Sequence, residues 1–403
     1  MSPITNADFP LGAFAVSYRV RAKPGGNMQP VRKILIVGGG IAGLSAAIAA
    51  RLAGVEVDLV EADPAWAAVG VGLTLQPSSL RAIARLGVLD QILEQGFGYG
   101  GTRIVDPEGR VLAETTDGPR LAGADYPSAA GAPRPALAAT LKARAAELGA
   151  RARAGMTVSG LTLGGEAVDV RFADGERRPY DLVVGADGIY SSIRRMVFDF
   201  TLAPEFTGQG VWRFTTPRPA EVERAWLCRG GRSSAGLIPL TREWMYLFLV
   251  ENGVSPDRRI AREDLAPALS ALLADFKGPI GEIAARIRPQ SDVVYRPFEW
   301  VITPAPWWRS RVLLIGDAAH AATAHLGAGA GMAIEDAVVL GELLAQRLDP
   351  EDMLRAFMAR RYDRCMLVAR NSHLLGEVEQ GKVTGVDPGR VAGEVFAALA
   401  EPI

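Results

Sequence analysis

An apolar run passes directly into a glycine-rich turn in the stretch Lys33-Ile-Leu-Ile-Val-Gly-Gly-Gly-Ile-Ala-Gly43. The run Lys33–Val37 predicts a buried strand, and the residues that follow Gly43 predict a helix. A second apolar run comes next and ends in Glu61. Strand, glycine turn, helix, strand and acid in this order are typical of a unit that binds a dinucleotide. The sequence therefore predicts an α/β protein built on a Rossmann-like parallel sheet.

Each part of this motif has its own physical role. Gly38 suits a tight turn, Gly40 lets a pyrophosphate approach the backbone, and Gly43 lets the helix pack closely on the strand. Glu61 can accept hydrogen bonds from a ribose because it stands at the end of the second strand. The glycines alone could form an ordinary glycine-rich turn, but here every neighbouring element stands in register with them.

A second glycine-rich stretch lies late in the chain. The apolar run 312–315 predicts a buried strand that ends in Gly316-Asp317, and Gly327-Ala-Gly-Ala-Gly331 leads into a helix. A glycine-rich helix start presents free backbone N–H groups and the positive end of the helix dipole. It suits an anion, or a ring that becomes anionic. Two of the three histidines, His320 and His325, lie in the loop between.

Composition limits the classes of function. The chain has 403 residues, of which 49% are hydrophobic and 22% charged, so two or three ordinary globular domains are expected. A net charge of −1 gives no electrostatic reason to expect nucleic acid or an anionic membrane. The two cysteines, Cys228 and Cys365, favour a reducing, cytoplasmic environment and are too few for a metal cluster. No apolar run approaches the ~20 residues of a membrane span, and residues 1–30 are expected to form a flexible leader.

The middle of the chain predicts a second sheet. Residues 102–113 are typical of a β-hairpin, and four strand-like segments rich in aromatic residues lie between 207 and 251. A four-stranded meander in a separate antiparallel sheet is the simplest interpretation. We expect a discontinuous nucleotide-binding domain at 31–101, 125–205 and 291–345, into which a mixed antiparallel substrate domain is inserted at 102–124 and 206–290. C-terminal helices are expected at 346–403.

Three separated motifs stand in order: the glycine turn with Glu61, Asp187-Gly188, and Gly316-Asp317. Together they resemble the single-component FAD-dependent aromatic hydroxylases, the group A flavoprotein monooxygenases that include salicylate and 6-hydroxynicotinate hydroxylases. The resemblance covers roughly residues 31–345. It implies tight, non-covalent FAD, a transient NADH or NADPH, and molecular oxygen as co-substrate. It further implies hydroxylation of a small hydroxylated aromatic or N-heteroaromatic substrate through a flavin C4a-hydroperoxide, by a monomer or homodimer.

The resemblance also assigns the cofactor contacts. The expected FAD ligands are Gly38, Gly40, Ile41, Ala42 and Gly43 for the pyrophosphate, Glu61 for the ribose, Arg134 from a helix start, Asp187 and Gly188 for flavin and nicotinamide, Gly316 and Asp317 for the ribityl chain, and Gly327, Gly329, Ala330, Gly331 and Met332 along the isoalloxazine edge. From spacing alone, Arg134 could equally be a surface arginine. The chain departs from the family at Ala321 and Ala324, where proline is usual, and at Ala328, where glutamine is frequent. These changes leave the backbone N–H groups in place.

Catalytic candidates come from the second glycine-rich stretch and from the second sheet. His325 stands just before the flavin-facing glycines, and an imidazole exchanges protons near neutral pH, although a loop-capping role is the alternative. His320 is expected to belong to the loop itself. Arg213 is the best candidate to contact a substrate carboxylate or gate the flavin, and strand alternation lets only one of Arg213 and Trp212 face the site. Trp226 and Tyr246 could line the pocket or belong to the hydrophobic core.

Two alternative functions remain open from the sequence. One is a hydroxylase of a quinolone or polyketide-type phenol. The other is a non-catalytic FAD-binding protein of the same fold.

Overall fold

The computed structural model describes residues 30–67, 70–198, 201–229 and 233–403, so the predicted leader, apart from Pro30, lies outside the described residues. The helices are α1 Ile41–Leu52, α2 Pro77–Arg85, α3 Leu89–Gln95, α4 Arg134–Glu147, α5 Ser192–Val197, α6 Leu265–Leu272, α7 Gly278–Ala284, α8 Asp317–His320, α9 Gly329–Ala345, α10 Pro350–Glu379 and α11 Pro388–Ala400. The strands of the first half are β1 Lys33–Val37, β2 Glu56–Glu61, β3 Gly72–Leu75, β4 Phe97–Tyr99, β5 Thr102–Val105, β6 Val111–Glu114, β7 Ala129–Pro133, β8 Arg151–Ala154, β9 Val158–Leu163, β10 Val168–Phe172, β11 Arg177–Tyr180 and β12 Leu182–Gly185. The remaining strands are β13 Glu205–Pro217, β14 Ala225–Cys228, β15 Ser234–Pro239, β16 Trp244–Asn252, β17 Val293–Ile302, β18 Trp308–Arg309 and β19 Val312–Leu314. None of the helices in these ranges is long and apolar enough to span a bilayer.

The first sheet carries the predicted nucleotide-binding unit. Its strand order is β18-β19-β12-β1-β2-β8, and every pair is parallel except β18 with β19. Continuous apolar runs such as Ile34–Val37 are buried in one core that includes residues of helix α1 and of the antiparallel strands β9 and β10. Helix α1 packs against α4 and α9. The Rossmann-like α/β fold that the first stretch predicts is therefore confirmed.

The second sheet is mixed, and its order is β17-β13-β16-β15-β14-β5-β6. All its pairs are antiparallel except β14 with β5. The predicted hairpin at 102–113 forms, because β5 and β6 pair antiparallel. The predicted meander is wrong, since β13 pairs with β16 and β17 and not with β14. The reason is length: β13 has 13 residues and β16 has nine, whereas β14 has four, so β16 offers the longer ladder.

One predicted boundary also differs. Residues 293–302 were expected in the nucleotide-binding part, but they form β17, which pairs with β13 in the second sheet. At its end, β17 makes two isolated bridges, Val301 with Ala321 and Ile302 with His320. The second sheet is thus hydrogen-bonded directly to the loop that follows β19.

The two faces of the second sheet have different neighbours. Trp212 pairs with Leu249 and packs, together with Leu247, into the core formed with α6 and α7. Arg213 pairs with Phe248, and strand alternation puts both on the opposite face. There, residues of β15 and β16 form a small cluster with residues of β4 and β7. This second face is the one turned toward the nucleotide-binding part.

Two helices close the chain. Helix α10 is one continuous helix of 30 residues, and α11 packs against it. Helix α10 also packs against α9, which starts at the second glycine-rich stretch. Helix α10 therefore lies directly behind the segment that carries His320 and His325.

Candidate flavin and substrate site

The glycine turn after β1 has the geometry that the sequence predicts. Gly38 has a φ of 109°, and a Cβ on it would lie 2.3 Å from the carbonyl oxygen of Ala186. A Cβ on Gly43 would lie 1.9 Å from the carbonyl oxygen of Gly38. A Cβ on Gly40 would meet no atom within 4 Å. Two of the glycines thus permit close packing, while the third leaves open space in front of α1 where a pyrophosphate fits.

Glu61 is fixed at the end of β2 by the same turn. Its Oε2 accepts a hydrogen bond from the Gly39 N–H at 2.7 Å, and its Oε1 accepts one from the Asp63 N–H at 2.8 Å. Trp66 donates from Nε1 to the Gly39 carbonyl at 2.8 Å and holds the other side of the turn. A carboxylate has about four acceptor positions, so Glu61 retains the capacity to accept from a ribose hydroxyl.

Arg134 lies at the first residue of α4 and is exposed. Its stem packs on Gly70, where a Cβ would be 3.0 Å from the Arg134 Cδ. Among the described residues, no hydrogen bond or ion pair engages its guanidinium. A cation at a helix start opposes the helix dipole and gains from a nearby anion, which fits a phosphate of FAD.

The Asp187-Gly188 motif is tied to the Gly316-Asp317 motif. Asp187 caps α5, because its carboxylate accepts from the Ser192 N–H at 2.7 Å and from the Ile193 N–H at 3.1 Å. The buried Arg194 donates to the Ile189 carbonyl at 2.6 Å and to the Ala318 carbonyl at 2.9 Å. The two motifs are therefore held as one unit, and the carboxylate of Asp187 is largely used within it.

Gly316 makes the turn into α8 with a φ of 57°. Its N–H donates to Oδ2 of Asp336 at 2.9 Å, which anchors the turn from α9. The next residue, Asp317, is exposed at the start of α8. This arrangement leaves the Asp317 carboxylate free to contact the ribityl chain that the resemblance implies.

The start of α9 supplies the free N–H groups that the sequence predicts. The first helical bond runs from the Met332 N–H to the Ala328 carbonyl, so the N–H groups of residues 329–331 have no acceptor within the helix. Gly331 is required for packing, because its Cβ would lie 2.2 Å from Oγ of Ser79 in α2. Met332 was expected to lie along the isoalloxazine edge, and the structure contradicts this. The residue is 1% exposed, its sulfur lies 3.7 Å from Arg361, and its N–H donates within the helix.

A buried charge network lies behind this helix, and sequence reasoning missed it. His320 lies 2.7 Å from Oδ2 of Asp336, while Arg361 donates to Oδ1 of Asp336 at 2.8 Å and to Glu335 at 2.7 Å. Burial opposes charge here, but His320 and Arg361 outweigh it and lower the pKa of Asp336 to about 2. Burial likewise opposes the protonation of His320, but Cys365 and Asp336 raise its pKa well above the ordinary value. His320 is a charged partner of Asp336, which agrees with its expected place in the loop.

His325 is enclosed by protein groups. Its Nδ1 lies 2.8 Å from the Thr323 hydroxyl, and its Nε2 lies 3.4 Å from Oε2 of Glu379 in α10, out of line for a hydrogen bond. Its side chain is 7% exposed and meets the Phe298 ring edge-on at 5.3 Å between centroids. Both ring nitrogens thus face protein groups, so the geometry does not offer a bare nitrogen to a substrate.

Arg213 lies on the sheet face that is turned toward the nucleotide-binding part. Burial lowers the pKa of its guanidinium, Tyr246 partly offsets this, and no carboxylate among the described residues pairs with it. Tyr246 is buried on the same face, since its strand partner is Thr215. Sequence reasoning missed Tyr99, which is buried in the same cluster and donates to the Thr74 hydroxyl at 3.4 Å. The signal for it lay only in the long-range pairing of β4 with β7.

The structure contradicts the expectation that Trp212 and Trp226 contact the substrate. Trp212 is fully buried on the opposite face and donates from Nε1 to Glu251 at 2.9 Å. Trp226 pairs with Leu237 in the same core, with the Arg103 guanidinium 4.7 Å from its ring centroid. Strand alternation directs both side chains away from Arg213, so they stabilise the second core and do not line the site.

The fold and this site define a nucleotide-binding α/β protein whose second sheet turns the face that carries Arg213 toward the nucleotide-binding part. The model of the FAD binding domain family matches residues 32–372. This chain belongs to that family, the FAD-dependent monooxygenases of the group A flavoprotein hydroxylase type.

Named relatives and a solved structure are similar over most of their lengths. The chain is 32% identical over 365 residues to the 2-heptyl-3-hydroxy-4(1H)-quinolone synthase of Pseudomonas aeruginosa, covering 86% of this chain and 89% of that one. It is 31% identical over 365 residues to the 3-amino-4-hydroxybenzoate 2-monooxygenase of Streptomyces cremeus, covering 86% and 87%. The crystal structure of Klebsiella pneumoniae HpxO with FAD and uric acid superposes with a TM-score of 0.78 at 24% identity, covering 92% and 93%. This structure shares the fold.

Proposed function

We propose that this protein is an NAD(P)H-consuming aromatic-ring monooxygenase that hydroxylates a small hydroxylated aromatic or N-heteroaromatic substrate. The observation that carries the proposal is Arg213, a half-buried cation that no carboxylate pairs with in the part of the chain that the structure describes, on the sheet face that meets the nucleotide-binding part. A buried charge is costly unless it is paired, so this position favours an anionic ligand. A substrate carboxylate or a deprotonated ring oxygen supplies one.

The residues present fit FAD and its chemistry. The open space at Gly40, the unpaired Arg134 and the free N–H groups at the start of α9 suit the pyrophosphate and the ring edge of the cofactor. When bound, the flavin supplies the redox chemistry, which is hydride uptake from a nicotinamide and activation of molecular oxygen. The chain itself binds and orients the substrate, excludes water and moves a proton.

The second sheet supplies the substrate contacts. Arg213 holds the anionic group, and Tyr246 and Tyr99 stand in the same buried cluster as phenolic donors. Burial raises the pKa of both phenols, so each keeps its proton at neutral pH, and the Tyr99 phenol turns from Thr74 to the substrate when it donates there. Phe248 lies beside Arg213 and gives the ring an apolar contact surface. Binding through a cation and two phenols positions an aromatic ring whose hydroxyl is being deprotonated.

The alternative substrate class is a quinolone or polyketide-type phenol. It is favoured by the similarity to the Pseudomonas aeruginosa quinolone synthase. The two classes differ in charge, because hydroxybenzoates carry a carboxylate at neutral pH and alkyl quinolones do not. Arg213 therefore discriminates between them.

The test is NAD(P)H oxidation and product formation by the FAD-loaded protein with a panel of hydroxybenzoates, hydroxypyridine carboxylates and quinolones. We expect carboxylates to stimulate turnover, and Arg213→Met to raise their KM about 30-fold or more, since an unpaired charge at an interface costs roughly 2–5 kcal/mol. The exposed Arg259→Met serves as the control and should retain wild-type constants.

The results of this test distinguish the two substrate classes and the non-catalytic alternative. Stimulation by quinolones alone, unchanged in Arg213→Met, would support the alternative substrate class. Purified protein that binds FAD but shows no stimulated NAD(P)H oxidation with any of these rings would favour a non-catalytic FAD-binding protein.

A further inference from the structure

Trp66 lies against the central peptide of the glycine turn. Its Nε1 donates to the Gly39 carbonyl at 2.8 Å. A Cβ on Gly39 would lie 2.5 Å from this Nε1 and 2.6 Å from Cε2 of the same ring. Gly39 does not have a positive φ, so its backbone conformation does not itself require glycine. The indole therefore explains why a glycine stands at a position that the dinucleotide-binding motif leaves open.

The loop after β2 holds Trp66 in this position. The Asp63 carboxylate accepts from the Ala65 N–H at 2.9 Å and from the Ala67 N–H at 3.0 Å, and the Trp66 N–H donates to the Asp63 carbonyl at 3.1 Å. Trp66 has a φ of 45°, a left-handed conformation that residues other than glycine rarely adopt. The Lys142 ammonium of α4 lies over the indole, 4.0 Å from the ring centroid. A backbone conformation of this kind, maintained by its surroundings, indicates a specific role for the ring.

The hydrogen bond from Trp66 determines the direction of the Gly40 N–H. A peptide bond is planar and trans, so the Gly39 carbonyl and the Gly40 N–H point in opposite directions. Glu61 holds the Gly39 N–H at 2.7 Å, and Trp66 holds the Gly39 carbonyl. Among the described residues, no acceptor takes the Gly40 N–H, and Gly40 borders the open space in front of α1. The orientation of this free donor therefore depends on Trp66.

We propose that Trp66 is a positioning residue of the FAD site, which aims the Gly40 N–H at the pyrophosphate by holding the Gly39 carbonyl. Gly39 and Trp66 act as a matched pair, because the ring can take its place only where Gly39 has no side chain. Lys142 keeps the ring on the turn through its contact with the indole. The inference concerns the binding of FAD, so it does not depend on which ring the protein hydroxylates.

Calorimetric titration of the FAD-free protein with ADP tests this part of the site. ADP carries the ribose and the pyrophosphate but no flavin. Trp66→Phe keeps an aromatic ring and removes the N–H donor, and it should raise the Kd of ADP and of FAD about 2- to 13-fold, the range that one net hydrogen bond contributes. Trp244→Phe is the matched control, because Trp244 is exposed on the second sheet, and it should retain the wild-type Kd. An ADP Kd that Trp66→Phe leaves unchanged would overturn the proposal.

A double-mutant cycle tests the matched pair. Gly39→Ala should raise the Kd of ADP, because the added methyl group displaces the indole from the turn. In a Trp66→Ala background the same change should have little further effect, since the ring that it displaces is gone. The double variant should therefore bind ADP as Trp66→Ala does, within about twofold. Effects that multiply in the double variant would show that the two residues act independently, which would contradict the matched pair.

The indole signal of Trp66 separates positioning from a merely structural role. The chain has seven tryptophans, so ¹H–¹⁵N spectra of tryptophan-labelled protein contain seven indole signals, and the one missing from Trp66→Phe belongs to Trp66. ADP should move this signal downfield, because an acceptor on the Gly40 N–H polarises the peptide and strengthens the bond to its carbonyl. A signal that ADP leaves in place, with only the urea midpoint of Trp66→Phe lowered, would show that Trp66 stabilises the fold and does not position the turn.

Discussion

Two glycines of the first turn have different roles, because Gly43 is needed for close packing and Gly40 faces open space. Gly43→Ala places a methyl group 1.9 Å from a backbone oxygen, and backbone cannot move aside cheaply. Gly40→Ala meets nothing within 4 Å, and Gly40 has an ordinary φ of −78°. We expect Gly43→Ala to destabilise the FAD-free protein by about 1–3 kcal/mol or more, whereas Gly40→Ala should keep its stability and weaken FAD binding.

Urea unfolding of the FAD-free variants and fluorescence titration with FAD measure the two effects separately. The expected pattern is a lowered midpoint for Gly43→Ala only and a raised Kd for Gly40→Ala with a wild-type midpoint. A wild-type Kd for Gly40→Ala would contradict the assignment of the open space in front of α1 to the pyrophosphate.

The role of a residue could be predicted from the sequence where local backbone geometry determines it. It could not be predicted where the role depends on pairing between distant segments. The glycine turn follows from steric rules within about ten residues, so its atoms could be placed from the sequence. Choosing between Arg213 and Trp212 required the β13 to β16 register, and a shift of one residue exchanges the faces. The enclosure of His325 depends on Glu379, which is far along the chain.

At the scale of elements, α9 and α10 are joined by charges and not only by apolar packing. The pKa of His320 is raised in the folded protein, so protonated His320 stabilises the fold. For a raised pKa, this contribution is fully present below the unfolded value near 6.5 and is lost as the pH rises through the folded pKa. Removing the imidazole with His320→Gln should therefore lower stability most at about pH 6.

Urea midpoints of wild type and His320→Gln across about pH 6 to 10 measure this difference. The difference between the urea midpoints of wild type and His320→Gln should decrease as the pH rises. The wild type loses the stabilisation from protonated His320, whereas the variant lacks this contribution at every pH. His373→Gln is the comparison variant, since burial lowers the pKa of His373 and gives the opposite sign. A difference between the two midpoints that does not change with pH would show that the pKa of His320 is not raised on folding, contrary to this prediction.

The order of the strands in the second sheet could also be predicted only in part. The hairpin of β5 and β6 and the strands β14 to β16 are sequential neighbours, and local turn signals predict them. Strand β13 lies beside β16, so the order β13-β16-β15-β14 is a Greek key and not a meander. No local signal distinguishes the two, because the difference lies in which edge of the sheet a connection reaches.

At the scale of the whole molecule, two cores alternate along one chain. Trp307 is fully buried in the first and Trp212 in the second. The chain enters the second sheet through β5–β6, β13–β16 and β17, and β17 then bridges directly to Ala321 and His320, which lie between β19 and α9. A segment shared in this way couples the stability of the two cores, although FAD is expected to contact mainly one of them.

The coupling predicts that FAD protects both cores against hydrogen exchange. A ligand at 100 times its Kd stabilises the native state by about 2.7 kcal/mol, so amides that exchange only through global unfolding should slow about 100-fold. Peptides from β1 in the first sheet and from β16 in the second should slow by the same factor when exchange is followed by mass spectrometry with and without FAD. The exposed edge strand β6 should be unaffected, because its residues exchange through local opening. Protection confined to β1 and its neighbours would show that the second sheet unfolds independently and that the β17 bridges do not couple the cores.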